Sequence, residues 1–494
     1  MPNARLALVS LVSLAACGGG RYKYATSAPP SVAIAAAEPS TGEDYKDPGR
    51  NPWVDASKDH LSTFAADVDT ASYTIARRKL QGGELPPAAS VRVEEWVNYF
   101  KYGFPAVSAE TAPFAVVMDA AAHPFEPNRY ILRVGVATKD KTPGERKPSS
   151  LVFLVDVSGS MSSPDKLELA KKSLHVLTAN LTDKDQVALV TYAGASRVVL
   201  PMTSLDRPQA RGMIDQAIDS LTTEGSTAMA SGIDLAYDQA VKTVRAGAIS
   251  RVIVCTDGDA NVGPASHEEI LKLIETRAKA GVTLSTIGFG MGNYKDALME
   301  QLADKGNGNN YYIDSFEMAK RVFAEQLTST LEVAAKDVKL QVDFDPAVVS
   351  RYRLIGYENR DLKDSDFRKD DVGAGQVGWG HQVTALYEVE LAGAPAPLGT
   401  VRIRHKAPDG DSATEAAFAM PSAPAADLVQ AASDLKFAFA VAAFADVMRG
   451  AATWPLEDIR ALADANATNN DRKELVGLID RAMKLRGNAA TVAH

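Results

Sequence analysis

The chain has 494 residues, of which 46% are hydrophobic and 23% charged, and its formal charge at pH 7 is −9. That length exceeds what one hydrophobic core fills, so two or three domains are expected. An acidic balance with no long basic run argues against nucleic acid as a partner.

The first residues carry a targeting signal. Arg5 precedes an apolar stretch over residues 6–14, followed by Leu14-Ala15-Ala16-Cys17-Gly18. This is a secretory leader and is too short to span a bilayer. Residues 14–17 resemble the lipobox of bacterial lipoproteins, which implies that Cys17 is acylated and becomes the mature N-terminus. The alternative is an ordinary signal cleaved after Ala16, leaving a free thiol. Multiple acylation would anchor the protein stably, as a single chain would not. By the sorting pattern of such lipoproteins, Gly18 implies the outer membrane of a two-membrane bacterium.

After the signal peptide (1–16), residues 17–58 are rich in Ala, Pro, Ser and Gly and read as a flexible tether. An N-terminal region over 59–147 follows. In it the stretch 64–73 leads into a helix, and a second helix over 91–100 sets Val93, Trp96, Val97 and Phe100 at helical spacing. Strand-like runs come next at 114–119 and 129–136. From 148 to 332 strand and helix alternate, with strands at 151–156, 186–192, 197–201, 251–256, 283–289 and 310–313. Helices fit 166–181, 208–220, 228–244, 267–280, 294–305 and 316–331. Such alternation predicts an α/β domain, a doubly wound and mostly parallel sheet covered on both faces. Cys255, in an apolar strand, reads as a buried structural thiol.

Antiparallel character returns over 333–420, with a glycine-rich loop at 373–380 between strands. A hairpin pair before the α/β unit is too small to fold alone. Both flanks are therefore expected to join in one β-sandwich with the α/β domain inserted. The remainder, 421–494, holds two amphipathic helical regions, 426–448 and 455–485, whose apolar run 437–444 is too short to span a membrane and suits core packing.

Chemistry concentrates at the end of the first α/β strand, where Asp156, Ser158 and Ser160 alternate so that one bend turns three oxygens towards a point. Thr227, just before a helix, and Asp257, after the fourth strand, belong to segments that the topology brings to the same edge. Hydroxyls and carboxylates are hard ligands suited to Mg²⁺, or to Mn²⁺ or Ca²⁺. Taken singly, each has a plainer reading: Ser158 and Ser160 as helix caps, Thr227 as an N-cap, Asp257-Gly258 as a turn. Their joint occurrence at the right ends of the right elements favours a metal site.

The set Asp156-x-Ser158-x-Ser160, Thr227 and Thr256-Asp257-Gly258 resembles the metal-ion-dependent adhesion site of von Willebrand factor type A (VWA) domains. That resemblance implies a Rossmann-like sheet. It further implies that Ser158, Ser160 and Thr227 coordinate the metal directly or nearly so, that Asp156 and Asp257 act through water, and that an open position takes a carboxylate from a protein partner. The wider chain resembles bacterial lipoproteins that carry such a domain between flanking regions. The matching stretches are Asp67-Val-Asp-Thr-Ala-Ser-Tyr73, Val91-Arg-Val-Glu-Glu95 with Asn98-Tyr-Phe100, Thr256-Asp-Gly-Asp-Ala-Asn261 and Gly288-Phe-Gly-Met-Gly-Asn293.

Other motifs lack their chemical context. Asp67-Val-Asp69-Thr70 has neither the glycine and distal glutamate of a calcium loop nor the strand and later lysine of a phosphatase nucleophile, and reads as a turn or cap. Gly288-Phe-Gly-Met-Gly292 lacks dinucleotide spacing and reads as a turn beside the metal edge. The seven histidines fall in no catalytic order, so an enzyme is not expected. Three functions follow: a lipid-anchored binding or adhesion protein of the cell envelope, an envelope scaffold whose flanking regions bind, and a metal-dependent hydrolase. The first is preferred.

Overall fold

Strand Ser149–Asp156 is buried along all 8 of its residues. Leu151, Phe153 and Val155 face one hydrophobic cluster and Val152 and Leu154 face another, the alternation of a strand covered on both sides. The computed structural model describes residues 45–107, 113–258, 267–290 and 296–492. The leader with Cys17, Asp259 to Asn261 and residues 291–295 lie outside these.

The central sheet runs Asn310–Ile313, Thr283–Phe289, Ile249–Thr256, Ser149–Asp156, Gln186–Tyr192, Ser196–Ser204. Every neighbouring pair is parallel except the last. Helix Leu167–Ala179 covers one face, while Met229–Val241, His267–Lys279 and Asp296–Lys305 cover the other. The chain leaves Ser149–Asp156 towards one side and returns to Ile249–Thr256 on the other. Their carboxyl ends therefore flank a topological switch point, where open α/β sheets place ligands.

The flanks form the expected sandwich. One antiparallel sheet orders Val54–Asp55, Val349–Ile355, Gln382–Leu391, Arg129–Thr138 and Phe114–Ala122. The other orders Asp361–Leu362, Leu61–Ala65, Val333–Phe344, Gly399–Lys406 and Ala413–Ala419. Both bury residues in a common core, where Phe344 stacks on Tyr352 at 4.3 Å and meets Tyr387 edge-on at 5.4 Å. Each sheet draws strands from before and after the α/β region.

Five local expectations change. The end of the stretch expected as a tether over 17–58 is part of the fold, because the Asn51 amide donates to the Leu354 and Gly356 carbonyls and Val54–Asp55 pairs with Val349–Ile355. Strand Leu61–Ala65 precedes the first helix, Ala71–Gln81, because its pairing partners lie far along the chain in Val333–Phe344 and Asp361–Leu362. Within the glycine-rich loop, Gly375–Gly378 pairs with Val333–Phe344. A Cβ at Gly375 would lie 1.8 Å from the Ala66 carbonyl and one at Gly378 2.0 Å from the Ser329 carbonyl, so those glycines permit a close backbone approach. The helix expected over 316–331 breaks into Phe316–Lys320, a π-helical turn Arg321–Glu325, and Leu327–Leu331. The last helical region divides into Leu456–Asp464 and Asn470–Val492.

Helix Ser433–Met448 buries its apolar run, with Phe437 against Phe100 at 5.0 Å and Phe444 against Trp96 at 5.4 Å. Among the described residues no helix is long and apolar enough to cross a membrane.

Candidate metal centre

Asp156 ends the central strand and is fully buried. Its carboxylate is held from two sides: Oδ1 accepts the Ser158 N–H at 2.9 Å and Oδ2 accepts the Thr256 hydroxyl at 3.0 Å. Burial raises the Asp156 carboxyl above its usual range; the Asp257 charge adds to the rise and the Ser158 bonds oppose it. Tyr192, in register with Asp156 on the next strand, is buried beside it, and burial followed by the Asp156 charge holds its phenol well above the ordinary value.

The loop after Asp156 turns two hydroxyls together, with Ser158 Oγ and Ser160 Oγ 3.0 Å apart. Two adjacent oxygens of an octahedron about 2.1 Å from Mg²⁺ are separated by about 3.0 Å. The two hydroxyls hydrogen-bond to each other at this separation, which is also one that such an ion accommodates. Among the described residues no group of three or more His, Cys, Asp or Glu side chains is arranged to hold a metal. The oxygen donors that the described residues offer at this edge include the Asp156 and Asp257 carboxylates and the Ser158 and Ser160 hydroxyls.

Asp257 lies one residue beyond strand Ile249–Thr256 and is fully buried, and its Oδ2 accepts Lys166 Nζ at 2.9 Å. The Thr256 hydroxyl also accepts the Gly258 N–H at 3.1 Å, so one side chain ties the Asp257 turn to Asp156.

Thr227 sits in the loop before helix Met229–Val241, half-buried, its hydroxyl without a hydrogen bond among the described residues. Two backbone bonds fasten this loop to the serine loop, Glu224 N–H to the Val157 carbonyl and Gly159 N–H to the Gly225 carbonyl at 3.1 Å. Close seating of the helix is possible at Gly232, where a Cβ would lie 2.8 Å from Tyr192 Cβ. The structure thus brings all three segments to one edge.

Sequence reasoning missed Lys166 and Thr256. Thr256 stands inside the quoted motif, directly before Asp257. No linear signal marks Lys166, which reaches Asp257 across 91 positions. Of the turn expected over 288–292, residues 291 and 292 lie outside the described residues; Gly290, at φ +73°, lies against the Lys166 stem.

The Asp67 motif is a turn, as expected, and also a junction. Asp67 Oδ1 accepts the Asp69 N–H at 3.0 Å, and Asp69 Oδ1 accepts the Asn310 N–H at 2.9 Å. Arg360 gathers Asp67 at 3.2 Å, Asp69 at 3.4 Å, Glu300 at 3.1 Å and Asp304 at 2.9 Å. The Glu95 stretch closes on the same helix start, its carboxylate accepting the Ser72 N–H at 2.8 Å. These motifs bind the flanks to the α/β region. Cys255 is a buried free thiol, pushed up to about 12 by burial.

Sheet order, switch point and loop set define a protein built around a von Willebrand factor type A domain, and the profile so described matches residues 150–325. A profile described as von Willebrand factor matches 39–133, and one described as the C-terminal part of uncharacterized protein YfbK matches 329–398 and 394–485. The chain belongs to the YfbK family: it is 40% identical over 443 residues to uncharacterized protein YfbK of Escherichia coli (strain K12), spanning 84% of this chain and 75% of that one. A magnesium-chelatase 67 kDa subunit of Chlorobaculum tepidum is 28% identical over 188 residues, 34% of this chain and 29% of its own. Among solved structures, a von Willebrand factor type A protein from Catenulispora acidiphila covers 80% of this chain and 89% of its own at 19% identity, with a TM-score of 0.44.

Proposed function

We propose that this protein is a lipid-anchored binding module of the cell envelope, and that it holds a divalent cation at the Asp156 edge and captures an acidic protein partner through it. The observation that carries the reading is the pair of serine hydroxyls 3.0 Å apart beside a buried carboxylate. Ser158, Ser160 and Thr227 would hold the ion, with Asp156 and Asp257 supplying the charge that balances it. Mg²⁺ suits this all-oxygen set best, and Mn²⁺ and Ca²⁺ are the alternatives. A bound cation supplies an acceptor position for a carboxylate oxygen. The protein's own residues orient that position: Thr256 and the Ser158 N–H fix Asp156, and the backbone bonds at Val157 and Gly159 hold the Thr227 loop in place.

No histidine hydrogen-bonds to Asp156, Ser158, Ser160 or Asp257 among the described residues, and the reading is of binding without turnover. Acylation of Cys17 would place the module on a membrane surface, the outer membrane in a two-membrane bacterium. Two experiments test this. Partner capture from envelope extract should be lost with chelator, return with Mg²⁺, and be absent from Asp156→Ala. Capture that ignores both chelator and substitution would favour a scaffold acting through its flanks. Cys17→Ser should move the protein out of the membrane fraction.

A further inference from the structure

The metal reading leaves Lys166 without a role, yet the fold builds it into the centre. Lys166 is 7% exposed, and its ammonium lies 2.9 Å from Asp257 Oδ2. Its stem runs beneath the Gly290 turn, where a Cβ would lie 2.2 Å from Lys166 Cγ and 2.5 Å from Cε. That turn is locked, because the Tyr312 hydroxyl donates to the Gly290 carbonyl. The preceding residue, Asp165, is held by the Arg78 guanidinium, which also donates to Tyr312 Oη at 3.2 Å. The lysine is thus aimed by packing from the N-terminal helix Ala71–Gln81 and from strand Asn310–Ile313.

An ammonium and a divalent cation make opposing claims on Asp257. Two cations sharing a buried edge repel strongly, because little solvent screens them. The stem is packed as far as Cε, so what gives way is the terminal ammonium, a point charge, whereas an arginine fork would hold the carboxylate in two places.

We propose that Lys166 is a tethered cation that neutralises Asp257 in the metal-free state and is displaced when a divalent ion enters, which lowers the affinity of the edge for metal and makes binding exchangeable. This rests on the metal reading given above. It names the cation against which Mg²⁺ competes, and so makes occupancy depend on ambient Mg²⁺ concentration.

Titration calorimetry of the full chain with MgCl₂ tests it, on wild type, Lys166→Met and Lys166→Gln. Both variants should bind Mg²⁺ at least tenfold more tightly, and Mg²⁺ should raise their melting temperature more than that of the wild type. Lys166→Arg should bind more weakly. A gain in affinity is not what structural damage produces. Folded variants, judged by circular dichroism, that bind Mg²⁺ as the wild type does or more weakly would overturn the proposal and make Lys166 a residue that positions Asp257. Loss of Mg²⁺ binding in the wild type and every variant alike would remove the metal site itself, and this proposal with it.

Discussion

Two stretches of the chain begin alike, Asp67-Val-Asp69 and Asp156-Val-Ser158, and in each the first carboxylate accepts the N–H two residues on, at 3.0 and 2.9 Å. Their fates differ because their surroundings differ. Around Asp67 the neighbours are acids, and one guanidinium, Arg360, joins Asp67 with Asp69, Glu300 and Asp304 into a fixed network. Around Asp156 the neighbours are hydroxyls, and the ammonium at hand is a lysine that touches Asp257 alone of the two carboxylates. A planar fork with five donors closes an acidic site permanently, while a point charge can leave. The same local turn is therefore a rivet in one place and, in the function proposed above, a receptor in the other.

The sharpest way to break this contrast is Arg360→Met. Removing the guanidinium takes the cationic partner from the buried carboxylates of Asp67 and Asp69, while Glu300 keeps Arg92 at 3.8 Å and Asp304 is exposed; the loss should be about 3–5 kcal/mol in denaturant unfolding, with no rescue by Mg²⁺. An unchanged midpoint would mean that the Asp67 turn is not a structural junction.

Next comes a pH effect in the same region. Glu94, whose Oε2 accepts the Tyr357 N–H at 3.0 Å, is raised from 4.5 to about 7, first by burial and then by the charges of Glu358 and Asp67. Between those values the folded protein keeps a proton that the unfolded chain has released, so stability falls as pH rises through this window. At about 1.4 kcal/mol per pKa unit the loss is at most about 3.5 kcal/mol. In Glu94→Gln the decline in melting temperature from pH 5 to 7 should flatten. A variant as steep as the wild type would assign the slope to another group.

A smaller effect is expected at the metal edge. Gly290→Ala puts a side chain at φ +73° and against the Lys166 stem, and should cost about 1–3 kcal/mol in thermal unfolding. An unchanged melting temperature would show that the lysine is not clamped.

How much of this was open to reading depends on how local its cause is. The strand up to Asp156 is legible because its burial is written as an unbroken apolar run, and the sandwich because alternating strands occur on both sides of the α/β region. The three oxygen segments are legible through the order of strands and helices, which fixes which loops share an edge. Leu61–Ala65 is not, since a short run containing Ser, Thr and Ala becomes a strand only through partners more than 270 positions away, such as Gln341 opposite Thr63. Lys166 and Arg360 are hidden for the same reason. Charged residues in loops look solvated until the fold shows the acids they meet.

The most direct test is a Mg²⁺ titration by calorimetry of three full-length proteins: wild type, Asp156→Ala and Asp67→Asn. The wild type should show one site, Asp156→Ala should bind at least about a hundredfold more weakly, beyond the 10–100-fold range typical for residues that only support a ligand, and Asp67→Asn should bind as the wild type does while melting earlier. Wild-type affinity in Asp156→Ala, or loss of binding in a folded Asp67→Asn, would contradict the assignment of the two turns.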